Sequence, residues 1–296
     1  MADETQINIP QQKKTVRDLK KERTVLRMRY LRARNAIKDK KREELEDLRD
    51  NYKLEQLKVE QPLKAEAYAL KIAKKKEHRL VNEPPKRRLL EEIGNAVTHG
   101  VGAIAAIILS VFMILKAQGP LALTAAIVYS VCFFLQMLFS CLYHSFRHGT
   151  RVKRLFRRFD YSAIYLAIGG TFAPIYLIYM IDKMWGFEWG VSLFAIQWAL
   201  IATGITFVAV FGPGRIRWLH YTLFFAIGWS AIMFIPHWIQ YDLPLFVWII
   251  SGGLTYTLGM IPFAALRGKP VAHFIWHFFV LAGSILMWVG IYLYIF

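Results

Sequence analysis

Cysteine is scarce in this chain: its 296 residues contain two, Cys132 and Cys141. Two cysteines cannot staple a disulfide-rich secreted fold. They fall in one apolar stretch, and on a single helix nine residues rise ~13 Å, too far for a bridge between them. Acid is the second shortage, because only six of the 21 Asp and Glu lie after residue 90. The first 30 residues have no apolar run, which excludes a secretory signal peptide within them and leaves the first spanning segment as its own insertion signal. Residues 13–80 contain no glycine and one proline, Pro62. The later apolar segments show no period-two alternation, so a membrane β-barrel is excluded.

What is present splits cleanly. Hydrophobic residues make up 55% of the chain, yet the formal net charge is +17. In one soluble domain these values conflict; they agree when charge and apolar surface occupy different parts of the chain. Residues 1–90 hold 26 of the 38 Lys and Arg, whereas all the long apolar runs follow. The expected class is an all-α polytopic membrane protein with seven transmembrane helices, preceded by a basic, partly helical cytoplasmic arm. Residues 1–88 are read as the arm and 89–296 as the membrane domain.

A spanning helix needs about 20 mainly apolar residues. Seven such runs stand at roughly 97–116, 121–143, 160–181, 190–211, 217–236, 244–265 and 273–295. Turn chemistry or charge separates them, as at Gln118-Gly119-Pro120, Gly212-Pro213-Gly214 and Arg267-Gly268-Lys269-Pro270. The loops after the second, fourth and sixth runs carry Arg147, Arg151, Lys153, Arg154, Arg157, Arg158, Arg215, Arg217, Arg267 and Lys269, against Lys116 and Lys183 on the other side. By the excess of basic residues in cytoplasmic loops, the N-terminus is expected in the cytoplasm, Phe296 outside, and the plasma membrane as the location.

The arm is rich in Lys, Arg, Glu, Leu and Ala, with a thin stripe of Leu19, Leu26, Tyr30, Ile37, Leu45, Leu48, Tyr52 and Leu63. That pattern predicts a long polar helix or weak coiled coil, ended by Pro84-Pro85. Its charge suits anionic lipid head groups, worth ~1 kcal/mol per basic residue near the surface, or a protein partner. Nucleic acid is disfavoured because acids are interspersed among the basic residues.

Ionisable groups within spans cost roughly 2.5 kcal/mol or more at the bilayer centre and are functional candidates by default. Here His99, His144, Asp160, His273 and His277 all fall at span ends, and the seven-span topology brings those ends to one face. His273 and His277 are four apart, adjacent on one helical face, a spacing by which two imidazoles reach one metal. Ser140 and His144 repeat the spacing and add a third imidazole. Three nitrogen ligands leave a fourth position for water, as in a catalytic zinc site, and a carboxylate such as Asp160 then orients that water or takes its proton. The alternative is that these histidines only hydrogen-bond to head groups or neighbouring helices. His148, His220 and His237 are assigned no role.

These motifs, in this order, resemble the haemolysin III family, within the superfamily of progestin and adipoQ receptors that includes the adiponectin receptors. The resemblance covers Leu89–Phe296. It rests on Glu92-Ile-Gly-Asn95-Ala-Val-Thr-His99, on Ser140-Cys-Leu-Tyr-His144 followed by Phe159-Asp160, and on His273-Phe-Ile-Trp-His277. Tyr165–Pro174 is also similar, with Phe172 where the family usually has Tyr. The resemblance implies zinc held by His144, His273 and His277, with Asp160 contacting its water and Ser140 hydrogen-bonding nearby. It marks Glu92, Asn95 and His99 as important without assigning them a step. Because the superfamily includes ceramidases, it implies a zinc-dependent intramembrane hydrolase acting on a lipid amide or ester. Membrane lipids would be its substrate or ligand. A receptor-like or regulatory protein with a structural zinc, or a haemolysin-type membrane-lytic protein, are the competing expectations.

Overall fold

The computed structural model describes residues 16–265 and 270–296, so Arg267 and Lys269 lie outside the described residues. Among the described residues the chain is helical throughout, without strands. It divides into two compact units, one ending at Ala69 and one running from Leu70 to Phe296.

In the first unit, α1 (Val16–Glu60) is a single 45-residue helix. The absence of glycine permits that length, and Pro62 stands at the start of α2 (Pro62–Val81), where its missing N–H costs nothing. Tyr68 on α2 donates to Asp50 Oδ1 at 3.0 Å and lies beneath the Lys53 ammonium. The expected apolar stripe is largely solvent-facing where it is described: Leu45, Leu48, Tyr52 and Leu63 are all exposed. The side chains of Leu19, Leu26, Tyr30 and Ile37 lie outside the described residues.

The second unit holds seven helices long and apolar enough to cross a membrane: α3 (Leu89–Lys116), α4 (Gly119–Ser145), α5 (Arg151–Lys183), α6 (Phe187–Phe211), α7 (Arg217–Tyr241), α8 (Leu243–Ala265) and α9 (Pro270–Tyr294). The count agrees with the sequence reading, but two starts do not. The first helix begins at Leu89 rather than at Val97, and the third at Arg151 rather than near Asp160. Apolar length marks only the part of a helix that faces hydrocarbon. The extra turns carry Glu91, Glu92, Lys153 and Arg157, whose charge hides them from a hydropathy count although the backbone stays helical. Thr150 caps the early start of α5 by accepting from the Lys153 backbone N–H at 3.1 Å.

Neighbouring helices pack most extensively in sequence order, α3 on α4, α4 on α5 and α8 on α9, and α9 returns to α3. Small residues permit close approach. A Cβ on Gly170 of α5 would strike Cys132 of α4, and one on Gly204 of α6 would strike the Tyr165 ring. Two spans are irregular midway. Pro174 has no N–H to donate, and Ile175–Met180 continue α5 as a π-helical turn; Trp229–Phe234 form a 3-10 turn in α7. Tyr176 and Phe234 meet edge to face between them, with ring centroids 6.0 Å apart.

The chain entering α3 is fastened to the bundle. Asn82 Nδ2 donates to the Phe211 carbonyl at 2.9 Å, and its Oδ1 accepts from the Gly214 N–H at 2.9 Å. Gly212, at φ +74°, and Gly214 pass so close to this amide that a side chain at either would collide with Val81 or Asn82. Arg157 donates to the carbonyls of Asn82 and Glu83, and Arg154 pairs with the Glu83 carboxylate at 3.1 Å.

A three-histidine centre at one end of the bundle

The first turns of α3, α5 and α9 and the last turn of α4 meet at one end of the bundle. His144 comes from the last turn of α4, and His273 and His277 from adjacent turns of α9. His144 and His277 are almost wholly buried, and His273 is half-buried. One ligand nitrogen from each ring falls within a 4.8 Å cluster. His273 Nε2 lies 3.1 Å from His144 Nε2 and 3.2 Å from His277 Nε2.

These separations fit a metal. Tetrahedral nitrogen ligands at ~2.0–2.1 Å from zinc stand roughly 3.3 Å from one another. Linear hydrogen bonds between neutral rings account for at most one of the two. The 2.6 Å contact between His144 Nδ1 and Glu92 Oε2 requires the His144 proton on Nδ1, which leaves Nε2 a bare lone pair. A neutral His273 ring has either a proton or a lone pair on Nε2. If a proton, it serves His144 and cannot accept from His277; if a lone pair, it faces the lone pair of His144. A cation among the three nitrogens removes the conflict. The triad can therefore hold a metal ion.

Around the triad lies a charged shell. Glu92, one turn into α3, accepts from His144 through Oε2 and from Lys153 Nζ through Oε1, the latter at 2.9 Å. The Lys153 side chain is completely buried, and its ammonium lies 4.4 Å from the centre of the Tyr143 ring. Arg87 pairs with Glu91 at 3.3 Å and donates to the Tyr143 hydroxyl at 3.4 Å. Asn95 lies 3.5 Å from His144 Nδ1, but that nitrogen already donates to Glu92, so this is packing rather than a second hydrogen bond. His99 packs against His277 with the rings tilted by 33° and their centroids 3.9 Å apart.

Asp160 is not in the triad. Ser140, one turn before His144 on α4, lies beside its carboxylate, and the positive charges of Arg87, Lys153 and Arg157 act on it. Two turns beyond His277, Ser284 shares a 2.8 Å hydrogen bond with Tyr256. Both line a small cavity of about 10 Å³, room for about one water, with Tyr129, Gln136 and Thr171.

Sequence reasoning missed Lys153, Arg87 and Tyr143. It counted Lys153 and Arg157 as loop cations, whereas both lie on the helical extension of α5 and point inward. Their four-residue spacing on a stretch that could continue the helix was the available signal. His220 also proves less isolated than expected: it is fully buried on α7 and bonded through Nδ1 to the Tyr165 hydroxyl at 2.9 Å.

Residues 87–288 match the family model described as haemolysin-III related. The chain belongs to the haemolysin III family. It is 37% identical over 209 residues to Hemolysin-3 of Bacillus cereus, an alignment covering 69% of this chain and 92% of the relative. A second relative, the Hemolysin-3 homolog of Bacillus subtilis (strain 168), is 33% identical over 208 residues, covering 69% of this chain and 94% of its own. The haemolysin III match starts at Arg87 and so contains the whole three-histidine centre, including the fastening residues Glu92 and Lys153.

Proposed function

We propose that this haemolysin III protein is a zinc-dependent intramembrane hydrolase of a lipid amide or ester. The convergence of three ring nitrogens carries the reading: His273 Nε2 lies 3.1 Å from His144 Nε2 and 3.2 Å from His277 Nε2, all three ligand atoms fall within 4.8 Å, and all-imidazole ligation favours zinc and leaves room for a reacting group. Zinc, when bound, supplies Lewis acidity toward a carbonyl and a lowered pKa for water. The chain's own groups do the rest. Asp160 serves as general base, taking a proton from the attacking water, and Ser140 orients the carboxylate or donates to the developing oxyanion. Glu92, Asn95 and His99 frame the ligand set. The first turns of α3, α5 and α9 sit at interface depth, where the head-group linkage of a lipid lies.

The same reading takes the N-terminus as cytoplasmic, Phe296 as outside and the plasma membrane as the location. The basic arm then faces the anionic leaflet or a protein partner. A receptor-like role is the second reading. It is favoured by the anchoring of the segment before the triad, where Asn82 holds the Phe211 carbonyl, Arg87 the Tyr143 hydroxyl and Glu92 the His144 ring. Lysis, the property printed in the relatives' name, would on this account follow from lipid hydrolysis.

The deciding experiment is lipid mass spectrometry on membranes containing the wild-type chain or Asp160→Asn, with zinc measured in both. The hydrolase reading expects a lipid cleaved by wild type alone and equal zinc in the two. Equal zinc with no cleavage at any protein concentration favours the receptor-like reading.

A further inference from the structure

We infer that Glu92 and Lys153 form a positioning pair that sets the tautomer and angle of His144, and so the affinity of the centre for its metal. The inference rests on the metal-centre reading above and deepens it. The two carboxylate oxygens of Glu92 divide between His144 Nδ1 at 2.6 Å and Lys153 Nζ at 2.9 Å. A carboxylate on the remote nitrogen of a ligand imidazole holds the proton there, presents the other nitrogen's lone pair and makes it more basic. Glu92 itself has rotatable bonds, and something must fix it. Lys153 does so from a different helix, with its side chain fully buried and its ammonium against the Tyr143 ring.

The pairing also explains an otherwise costly arrangement. A buried ion pair is weak evidence for stability, since well-packed apolar residues often serve a fold as well. Here the pair ties α3 to α5 at the height of the ligand ring of α4, which a pair of apolar residues could not orient. Lys153 is one turn before Arg157, which holds the Asn82–Glu83 backbone. The two cations on one face of α5 thus fix both ends of the segment that leads into Glu92.

The test uses the full-length protein in detergent, with zinc affinity measured by chelator competition and ligand geometry by the visible spectrum of the cobalt(II)-substituted protein. Glu92→Gln should weaken zinc binding about 10- to 100-fold and alter the cobalt spectrum, while the melting of the metal-free protein shows that the fold persists. Lys153→Met should weaken binding in the same direction, and Lys153→Arg should restore most of it. Should Lys153→Met fail to fold because it strands the Glu92 charge, the double variant Glu92→Gln/Lys153→Met removes both charges. It should bind like Glu92→Gln alone, because Lys153 acts through Glu92. Wild-type affinity and spectrum in Glu92→Gln overturns the inference and leaves the metal centre standing. Additive losses in the double variant overturn the role of Lys153. A wild-type protein that binds no zinc overturns the metal reading, and this inference with it.

Discussion

His144 is the residue on which the centre turns. It is the one member of the triad that does not come from α9, so it converts a helical pair into a three-point site, and its remote nitrogen is committed to Glu92. Asp160 stands apart from the triad, beside Ser140 and under the charge of Arg87, Lys153 and Arg157, and in the proposed hydrolase it handles protons rather than metal. Asp160→Asn is nearly isosteric and keeps a hydrogen-bonding oxygen for Ser140. It should retain zinc at the wild-type level and lower lipid turnover by about 10²- to 10⁴-fold, the usual contribution of a general base. Turnover assayed with the metal content of the same sample checks this, and unchanged turnover would remove Asp160 as the base.

At the scale of elements, the bundle depends on small residues where helices cross and on the fastening of the entering chain. Gly170 faces Cys132 across the α4–α5 contact with no space for a side chain. Gly170→Leu should lower stability by about 1–3 kcal/mol, the usual cost of overpacking, read as a lowered melting temperature in detergent. Asn82→Ala strips partners from the Phe211 carbonyl and the Gly214 N–H. It should cost about 1–3 kcal/mol and speed hydrogen exchange between residues 78 and 90 more than in α8. The seven spans were legible because each carries its own run of about 20 apolar residues, a signal that needs no tertiary information. The starts of α3 and α5 were not, because charged turns such as Glu91-Glu92 and Lys153–Arg157 read as loop until the partners that neutralise them are known. His144, His273 and His277 were legible from four-residue spacing and topology. Lys153 was not, since its spacing from Arg157 could mark a shared helical face but not the carboxylate 61 residues away at which it is aimed.

At the scale of the whole molecule, net charge and hydrophobicity separate along the chain, and the charged end of the bundle is also the chemical end. Six acids serve the last 206 residues, and three of them, Glu91, Glu92 and Asp160, interact with the cations Arg87, Lys153 and Arg157 at the end of the bundle that holds the triad. That concentration is costly at membrane depth and is intelligible if a metal and a polar linkage are handled there. With the arm in the cytoplasm, protease added to sealed inside-out vesicles should remove it, whereas protease added to right-side-out vesicles should leave it intact. The reverse pattern would invert the orientation.

The proposed chemistry depends on three imidazoles holding one zinc. Metal analysis of the purified full-length protein, set beside His277→Ala prepared in the same way, tests it most directly. About one zinc per wild-type chain is expected, with its loss in His277→Ala; full zinc occupancy in His277→Ala would overturn the assignment of His277 as a ligand.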